Sequence, residues 1–236
     1  TTSIKMPPQK VLNQFLHPRS FHELNGITLP EEESLGLDLV VLSKIEDSGL
    51  VRLHLASALQ RLPLDARWPI ATALAQHEED ANDRQQPLMI WYGIEASVAA
   101  DPMRGVKLIG EAKIPTVRRL VARRITEEIE KQPAAVDALV ALMVKQPEVQ
   151  KDVLDGMAAA LNGWNKAPKP KGWDELAKQL GAGEKGGPAS ANEGKMPSLL
   201  EEVRQLSIIF GGGRPMEELI PIVKDTEGDG PARRNA

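Results

Sequence analysis

The residues best suited to acid–base chemistry lie in one stretch, QQPLMIWYGIEASVAADP, residues 85–102. It holds Tyr92, the chain's only tyrosine, beside Trp91, and one carboxylate, Glu95, follows. Together with His77 these groups offer proton donors and acceptors, so an enzyme site near Glu95 is one hypothesis. The spacing of residues shows no Ser–His–Asp set and no close carboxylate pair, although catalytic groups need not be neighbours in the chain.

Placed on a helix at 100° per residue, this stretch is apolar on nearly every side, with Glu95 as its single charge. Such a helix is typically enclosed by neighbouring helices. We therefore predict a structural role, in which a buried Glu95 pairs with Arg52 or Arg118. A ligand-contacting acid is the alternative role for Glu95. The predicted core residues of the stretch are Leu88, Trp91, Tyr92, Gly93 and Glu95.

Four arginines in the sequence RRLVARR form a candidate interaction patch for anions or nucleic acid. They are Arg118, Arg119, Arg123 and Arg124. The alternative is a solvated helix face whose charges are neutralised by acids one turn further on. Those acids are Glu127, Glu128 and Glu130. The net charge of −4 also argues against a nucleic-acid partner.

Other motifs give weaker indications of ligand binding. His17 and His22 are five residues apart, which does not place both rings on one helical face, and no third ligand is nearby. The sequence IIFGGGRPMEEL contains a glycine-rich turn that could cradle phosphate, but it lacks the G-K-[ST] ending of a P-loop. We interpret residues 211–213 as a helix C-cap and turn. No catalytic, cofactor-binding or metal-ligating residue is predicted.

Composition favours packed helices. Of 236 residues, 42% are hydrophobic but only 3% are aromatic, and there is no cysteine. The missing cysteines exclude disulfides and thiolate metal sites within this chain. No apolar run approaches the roughly 20 residues of a membrane span. The chain starts at Thr1 without methionine and ends in DGPARRNA, which is typical of a helix opening, so we expect a piece of a longer protein.

An irregular repeat runs along the chain. Three segments align on Val51, Leu88 and Val117, and each has a small residue five positions on. The small residues, Ala56, Gly93 and Ala122, would let neighbouring helices approach closely. The pattern D-x-x-x-V-R-x-x-x-A resembles HEAT repeats, and predicts an all-α solenoid of about five right-handed, stacked helix pairs. The second helices of these pairs are expected to start near Val51, Pro87, Pro115, Glu148 and Ser198, with a further one at Pro231.

The predicted organisation has four parts. A glycine-rich run, GAGEKGGPASANEGKMP, indicates a flexible insertion between two groups of repeats. The parts are a lead-in segment at 1–30, HEAT-like repeats at 31–180, the insertion at 181–197, and further repeats, truncated at the end, at 198–236.

Residues 62–125 resemble the helical region of the PVC-type haem-binding CxxCH proteins of planctomycetes and their relatives. PLMIWYGIE and IPTVRRLVARRI carry most of the resemblance, and LNGWNKAPKPKGWDEL is also similar. The family resemblance implies a large exported protein with a β-propeller, a HEAT-like middle region and a cytochrome c domain. This chain lacks cysteine and therefore the C-x-x-C-H motif, so no haem or other cofactor is expected in it.

The predicted solenoid indicates a non-catalytic scaffold or protein-interaction platform. The resemblance implies that it is a middle region of a larger exported, haem-containing, dehydrogenase-like protein, located in the periplasm or at the cell surface. Its expected partners are other proteins or the flanking domains of the parent protein, without a membrane span. The alternatives are an anion or nucleic-acid binder that uses the arginines at 118–124, and an enzyme with a site near Glu95.

Overall fold

The computed structural model describes residues 32–181 and 199–212, and these ranges are all-helical, without a β-strand. The predicted all-α class is confirmed for them. The ten α-helices of the described ranges are α1 Glu32–Ile45, α2 Gly49–Ala58, α3 Leu64–Leu74, α4 Gln86–Ala100, α5 Pro102–Glu111, α6 Pro115–Thr126, α7 Pro133–Lys145, α8 Gln150–Ala160, α9 Trp173–Gln179 and α10 Leu199–Ser207. Short 3₁₀ turns lie at Leu59–Arg61, Glu78–Asp80 and Pro147–Val149, and a π-helical turn at Ile208–Gly212 follows α10.

The predicted starts of the second helices agree with the structure to within two residues. The observed first residues are Gly49, Gln86, Pro115, Gln150 and Leu199. Proline is favoured at a helix start because the first backbone N–H groups have no partner inside the helix. The predicted start at Pro231 and the lead-in at 1–30 lie outside the described residues. Of the insertion predicted at 181–197, only Gly181 is described.

Pro69 lies inside α3, which begins at Leu64. The proline at the start is Pro63, whose extended backbone (φ −54°, ψ 148°) leads into the first turn. An internal proline costs one backbone hydrogen bond, and burial of Trp68 and Ile70 on either side of Pro69 offsets that loss.

The described residues divide into two compact units, residues 32–100 with 111–117, and residues 101–110 with 118–181 and 199–212. In the first unit α4 packs against α2 and α3, and α3 packs against α1. Gly93 lies so close to Leu59 that an added Cβ would be 2.6 Å from the Leu59 Cβ. The Arg67 Nη1 donates a 2.9 Å hydrogen bond to the Gly93 carbonyl oxygen. The small residue predicted at Gly93 therefore does permit close packing.

In the second unit α8 crosses α6 in backbone contact. A Cβ on Gly156 would overlap the Arg119 carbonyl oxygen and lie 3.0 Å from the Ala122 Cβ. Further along, α10 packs on α8, and α9 packs on α7. The buried Trp173 ring meets Phe210 edge-on at 4.9 Å between centroids. The arrangement of helix pairs as a right-handed HEAT-like solenoid stays a prediction.

Candidate interaction surface

Helix α4 buries one face and exposes the other. Asp83 starts the helix, because its Oδ1 accepts hydrogen bonds from the backbone N–H groups of Gln86 (2.7 Å) and Gln85 (2.8 Å). These bonds lower the pKa of Asp83. Ser97 donates from Oγ to the Leu64 carbonyl oxygen at 3.1 Å, which fixes the rotation of α4 on α3. The buried face of α4 consists of Gln86, Pro87, Ile90, Gly93, Ile94, Ser97 and Val98.

The opposite face of α4 is apolar and open. Tyr92 is 52% exposed and Leu88 is 38% exposed, while Trp91 is half-buried beside them. Glu95 is exposed one turn after Tyr92. We call the residues Leu88, Trp91, Tyr92 and Glu95 the α4 face. Exposed large apolar residues grouped on one face are typical of binding surfaces rather than of a solvated helix.

The predicted core role is therefore wrong for Leu88, Tyr92 and Glu95 and correct for Gly93. The sequence is apolar all round, but within this unit the neighbouring helices α2 and α3 cover only one side of α4. Periodicity cannot choose which of two apolar faces is buried. The small and polar residues Gly93 and Ser97 were the available signal, since they suit close helix packing.

The predicted partner of Glu95 is also wrong. Arg52 is buried and pairs with Asp80 through two hydrogen bonds of 2.6 Å. Arg118 Nη1 lies 3.1 Å from Asp152 Oδ2. An exposed carboxylate such as Glu95 needs no cation, because water solvates it.

His77 makes structural contacts instead of forming an acid–base group with α4. Its Nε2 donates to the Ser43 carbonyl oxygen at 2.7 Å, since a carbonyl oxygen can only accept. Its Nδ1 lies 2.9 Å from Glu79 Oε1. The ring thus ties α1 to the turn after α3, and its contacts do not run to Tyr92 or Glu95.

Three of the four arginines in the predicted patch have carboxylate partners. Besides the Arg118 pair, Arg123 Nε lies 2.9 Å from Glu127 Oε1, and Arg124 Nη1 lies 3.2 Å from Glu128 Oε1. The predicted neutralisation by acids one turn further on is confirmed for Glu127 and Glu128. Lys131 and Arg124 together lower the pKa of Glu128. Glu130 is exposed, as is Arg119, the remaining arginine of the patch.

The described residues contain no group of three or more His, Asp or Glu side chains placed to hold a metal ion. His17 and His22 lie outside them. Gly211 has φ +78°, the left-handed conformation expected of the predicted C-cap, whereas Gly213 lies outside the described range. Within the part of the chain that the structure describes, no helix is long and apolar enough to cross a bilayer.

Sequence reasoning missed a buried acid, Glu202, between α8 and α10. Glu202 is only 4% exposed and lies near Lys151 and Asp155 of α8. Two adjacent acids, Glu201 and Glu202, open α10, and only one of them can face solvent when Val203 and Leu206 are buried. The spacing of Glu202 from Val203 and Leu206 on one helix was therefore the sequence signal that could have indicated its burial.

Comparison of the chain with protein-family models, with curated proteins and with solved structures gave no match in any of the three.

Proposed function

We propose that this chain is a non-catalytic helical scaffold that binds a protein partner through the α4 face. The observation that carries the proposal is the exposed apolar surface of Tyr92 and Leu88 on a helix whose opposite face is tightly packed. A rigid helix presents its side chains without a large loss of conformational entropy on binding.

The residue types of the α4 face suit a protein partner. Tyrosine and tryptophan are the commonest energetic anchors of protein interfaces, because they bury a large area with few rotatable bonds. Tyr92 adds a hydroxyl that donates or accepts a hydrogen bond, and Glu95, one turn after Tyr92, supplies a charge for a polar group of the partner.

The scaffold proposal includes a wider context that rests on the sequence resemblance. In it, this chain is the middle region of an exported, haem-containing, dehydrogenase-like protein and holds the flanking domains at a set distance. The location is then the periplasm or the cell surface. Stacked HEAT-like helix pairs suit this role, since they form extended surfaces between their ends.

A binding experiment tests the docking face. The chain is mixed with the separately produced regions that flank it in the native polypeptide, and association is measured by analytical ultracentrifugation at about 0.15 M salt. We expect Tyr92→Ser and Leu88→Ser to weaken association about tenfold or more, as loss of an interface anchor does. Ile208→Ser, which removes a still more exposed apolar residue from the other unit, is the matched control.

The outcomes of that experiment are distinct. If Ile208→Ser weakens association as much as Tyr92→Ser does, the α4 face is not the docking site. Absence of association with either flank would refute docking between domains of one polypeptide.

The family context has its own test. The native polypeptide is isolated with an antibody raised against this chain and stained for covalently bound haem. We expect a haem-positive polypeptide much larger than this chain, recovered from the cell envelope. A haem-free polypeptide would refute the family context and leave the α4 face proposal to its own experiment.

A further inference from the structure

The buried acid Glu202 of α10 lies at the contact with α8 in the second unit. Lys151 Nζ lies 3.1 Å from Asp155 Oδ1 and 3.9 Å from Glu202 Oε1, so the lysine is closer to Asp155 than to Glu202. The Glu202 Oε2 is buried without a hydrogen-bond partner. An ionised Glu202 would therefore have one buried oxygen without a donor and a second carboxylate beside it, at a high cost in free energy.

The surroundings of Glu202 favour the neutral acid. Burial raises its pKa to about 7, and Asp155 contributes in the same direction, whereas Lys151 opposes the shift. Hydrogen bonding to Asp155 raises the pKa of Lys151, so the lysine stays protonated and pairs mainly with that carboxylate. One lysine is thus shared between two acids, and the second acid is most stable when it carries a proton.

The other elements packed on α10 do not change the protonation state that the surroundings of Glu202 favour. Helix α9 meets the end of α10 through Trp173, whose Nε1 donates to Ser207 Oγ at 3.0 Å. The charged residues of α9 lie on its exposed side, where Asp174 pairs with Lys169. The π-helical turn contains only Ile, Phe and Gly. Within the described residues, the charged groups that act on Glu202 are those of α8.

We propose that the contact between α8 and α10 is a proton-controlled latch, which holds α10 on α8 while Glu202 is protonated and loosens when Glu202 is ionised. The latch acts on a helix that continues into the π-helical turn. In that turn, Phe210 contacts Trp173 and the Ile209 carbonyl oxygen accepts from the Ala167 backbone N–H. Release of α10 would uncover the Trp173 ring. The inference does not depend on the proposed function of the α4 face.

The pKa of Glu202 determines how the stability of the contact between α8 and α10 changes with pH. The folded-state pKa of Glu202 lies above the ordinary value of 4.5, so its stabilisation is complete below about pH 4.5 and is lost as the pH rises through about 7. Between about pH 5.5 and pH 8.5 we expect the equilibrium constant for holding α10 in place to fall by about tenfold or more.

Hydrogen exchange measured by mass spectrometry on the intact chain tests the latch. After correction for the intrinsic pH dependence of exchange, the peptide covering 199–207 is expected to lose protection about tenfold between about pH 5.5 and 8.5. Glu202→Gln, which mimics the protonated acid, is expected to abolish that pH dependence. Asp155→Asn is expected to move the loss to lower pH. Glu130→Gln, at an exposed position, is the matched control.

The proposal is overturned if wild-type protection does not change with pH, or if Glu202→Gln retains the wild-type profile. A second measurement does not depend on any variant being folded. Titration of the labelled Glu202 carboxyl carbon by NMR in the wild-type chain is expected to give a midpoint well above 4.5, and a midpoint at or below 4.5 would overturn the latch.

Discussion

Arg52 and Asp80, 28 residues apart in the chain, are joined by two parallel hydrogen bonds of 2.6 Å, and both side chains are buried. Arg52 also donates from Nη1 to the Glu46 carbonyl oxygen at 2.8 Å. The guanidinium therefore ties the turn before α2 to the 3₁₀ turn after α3. Arg118, at the equivalent position of another aligned segment, makes a similar contact with Asp152.

Breaking the Arg52–Asp80 pair on one side should destabilise the chain strongly. Asp80→Asn leaves the buried guanidinium with only the exposed carboxylate of Glu79, 3.5 Å away, as a counter-charge, and we expect the free energy of unfolding to fall by about 3 kcal/mol. Urea denaturation followed by circular dichroism measures this loss. Replacing both partners, as Arg52→Met with Asp80→Leu, should recover much of it, because no charge is then left buried.

The control for this pair is Arg61→Ala, at an exposed arginine close by in the chain. We expect it to change the free energy of unfolding by less than about 0.5 kcal/mol. A loss for Asp80→Asn no greater than that of Arg61→Ala would show that the ion pair contributes little to stability.

A second prediction concerns Gly156, where α8 contacts the backbone of α6. Alanine normally stabilises a helix interior relative to glycine by up to about 1 kcal/mol. At Gly156 the added Cβ would overlap the Arg119 carbonyl oxygen, so we expect Gly156→Ala to destabilise by about 1–3 kcal/mol. Gly49→Ala, where the nearest atom is 3.7 Å from the added Cβ, should be neutral or stabilising. Thermal unfolding of both variants measures the two effects. Equal effects at both positions would contradict the close crossing.

The two faces of α4 should respond differently to truncation. Ile90 is fully buried, and Ile90→Ala should lower the free energy of unfolding by about 2–5 kcal/mol. Tyr92→Ala removes a larger side chain from the exposed face, and we expect a change within about 0.5 kcal/mol. Chemical denaturation of both variants distinguishes the faces. A large loss for Tyr92→Ala would mean that Tyr92 is part of the core after all.

Sequence patterns predicted where helices begin better than how they pack. Proline and glycine act on the backbone locally, so Pro115 and Pro133 mark helix starts and Gly211 marks an end without reference to the rest of the chain. Burial depends on neighbours that are distant in sequence. The exposure of Tyr92 was therefore predicted wrongly.

The ion pairs also divide into those that local sequence predicts and those that depend on residues distant in sequence. The acids one turn after Arg123 and Arg124 were predicted as partners, because i, i+4 spacing on a helix brings them together. The pairing of Arg52 with Asp80 depends on tertiary packing, and no local spacing indicates it. Local spacing places Glu202 beside Val203 and Leu206 on α10, but the groups of α8 that lie near Glu202 depend on tertiary packing. The α4 face was likewise visible in the sequence as an apolar stretch, but its orientation required the structure.

The last prediction separates the scaffold proposal from a nucleic-acid binder. Each arginine that contacts a phosphate contributes about −0.9 to the slope of log affinity against log salt, so a patch of four would give a slope near −3.6. Because three of the four arginines already have carboxylate partners, we expect weak binding to a short DNA duplex. Fluorescence anisotropy between about 50 and 200 mM salt measures the slope.

The double variant Arg119→Glu, Arg123→Glu should leave that weak binding unchanged, as should the control Arg61→Glu. Tight binding with a steep slope, abolished by the double variant alone, would instead establish the arginine patch as the functional surface.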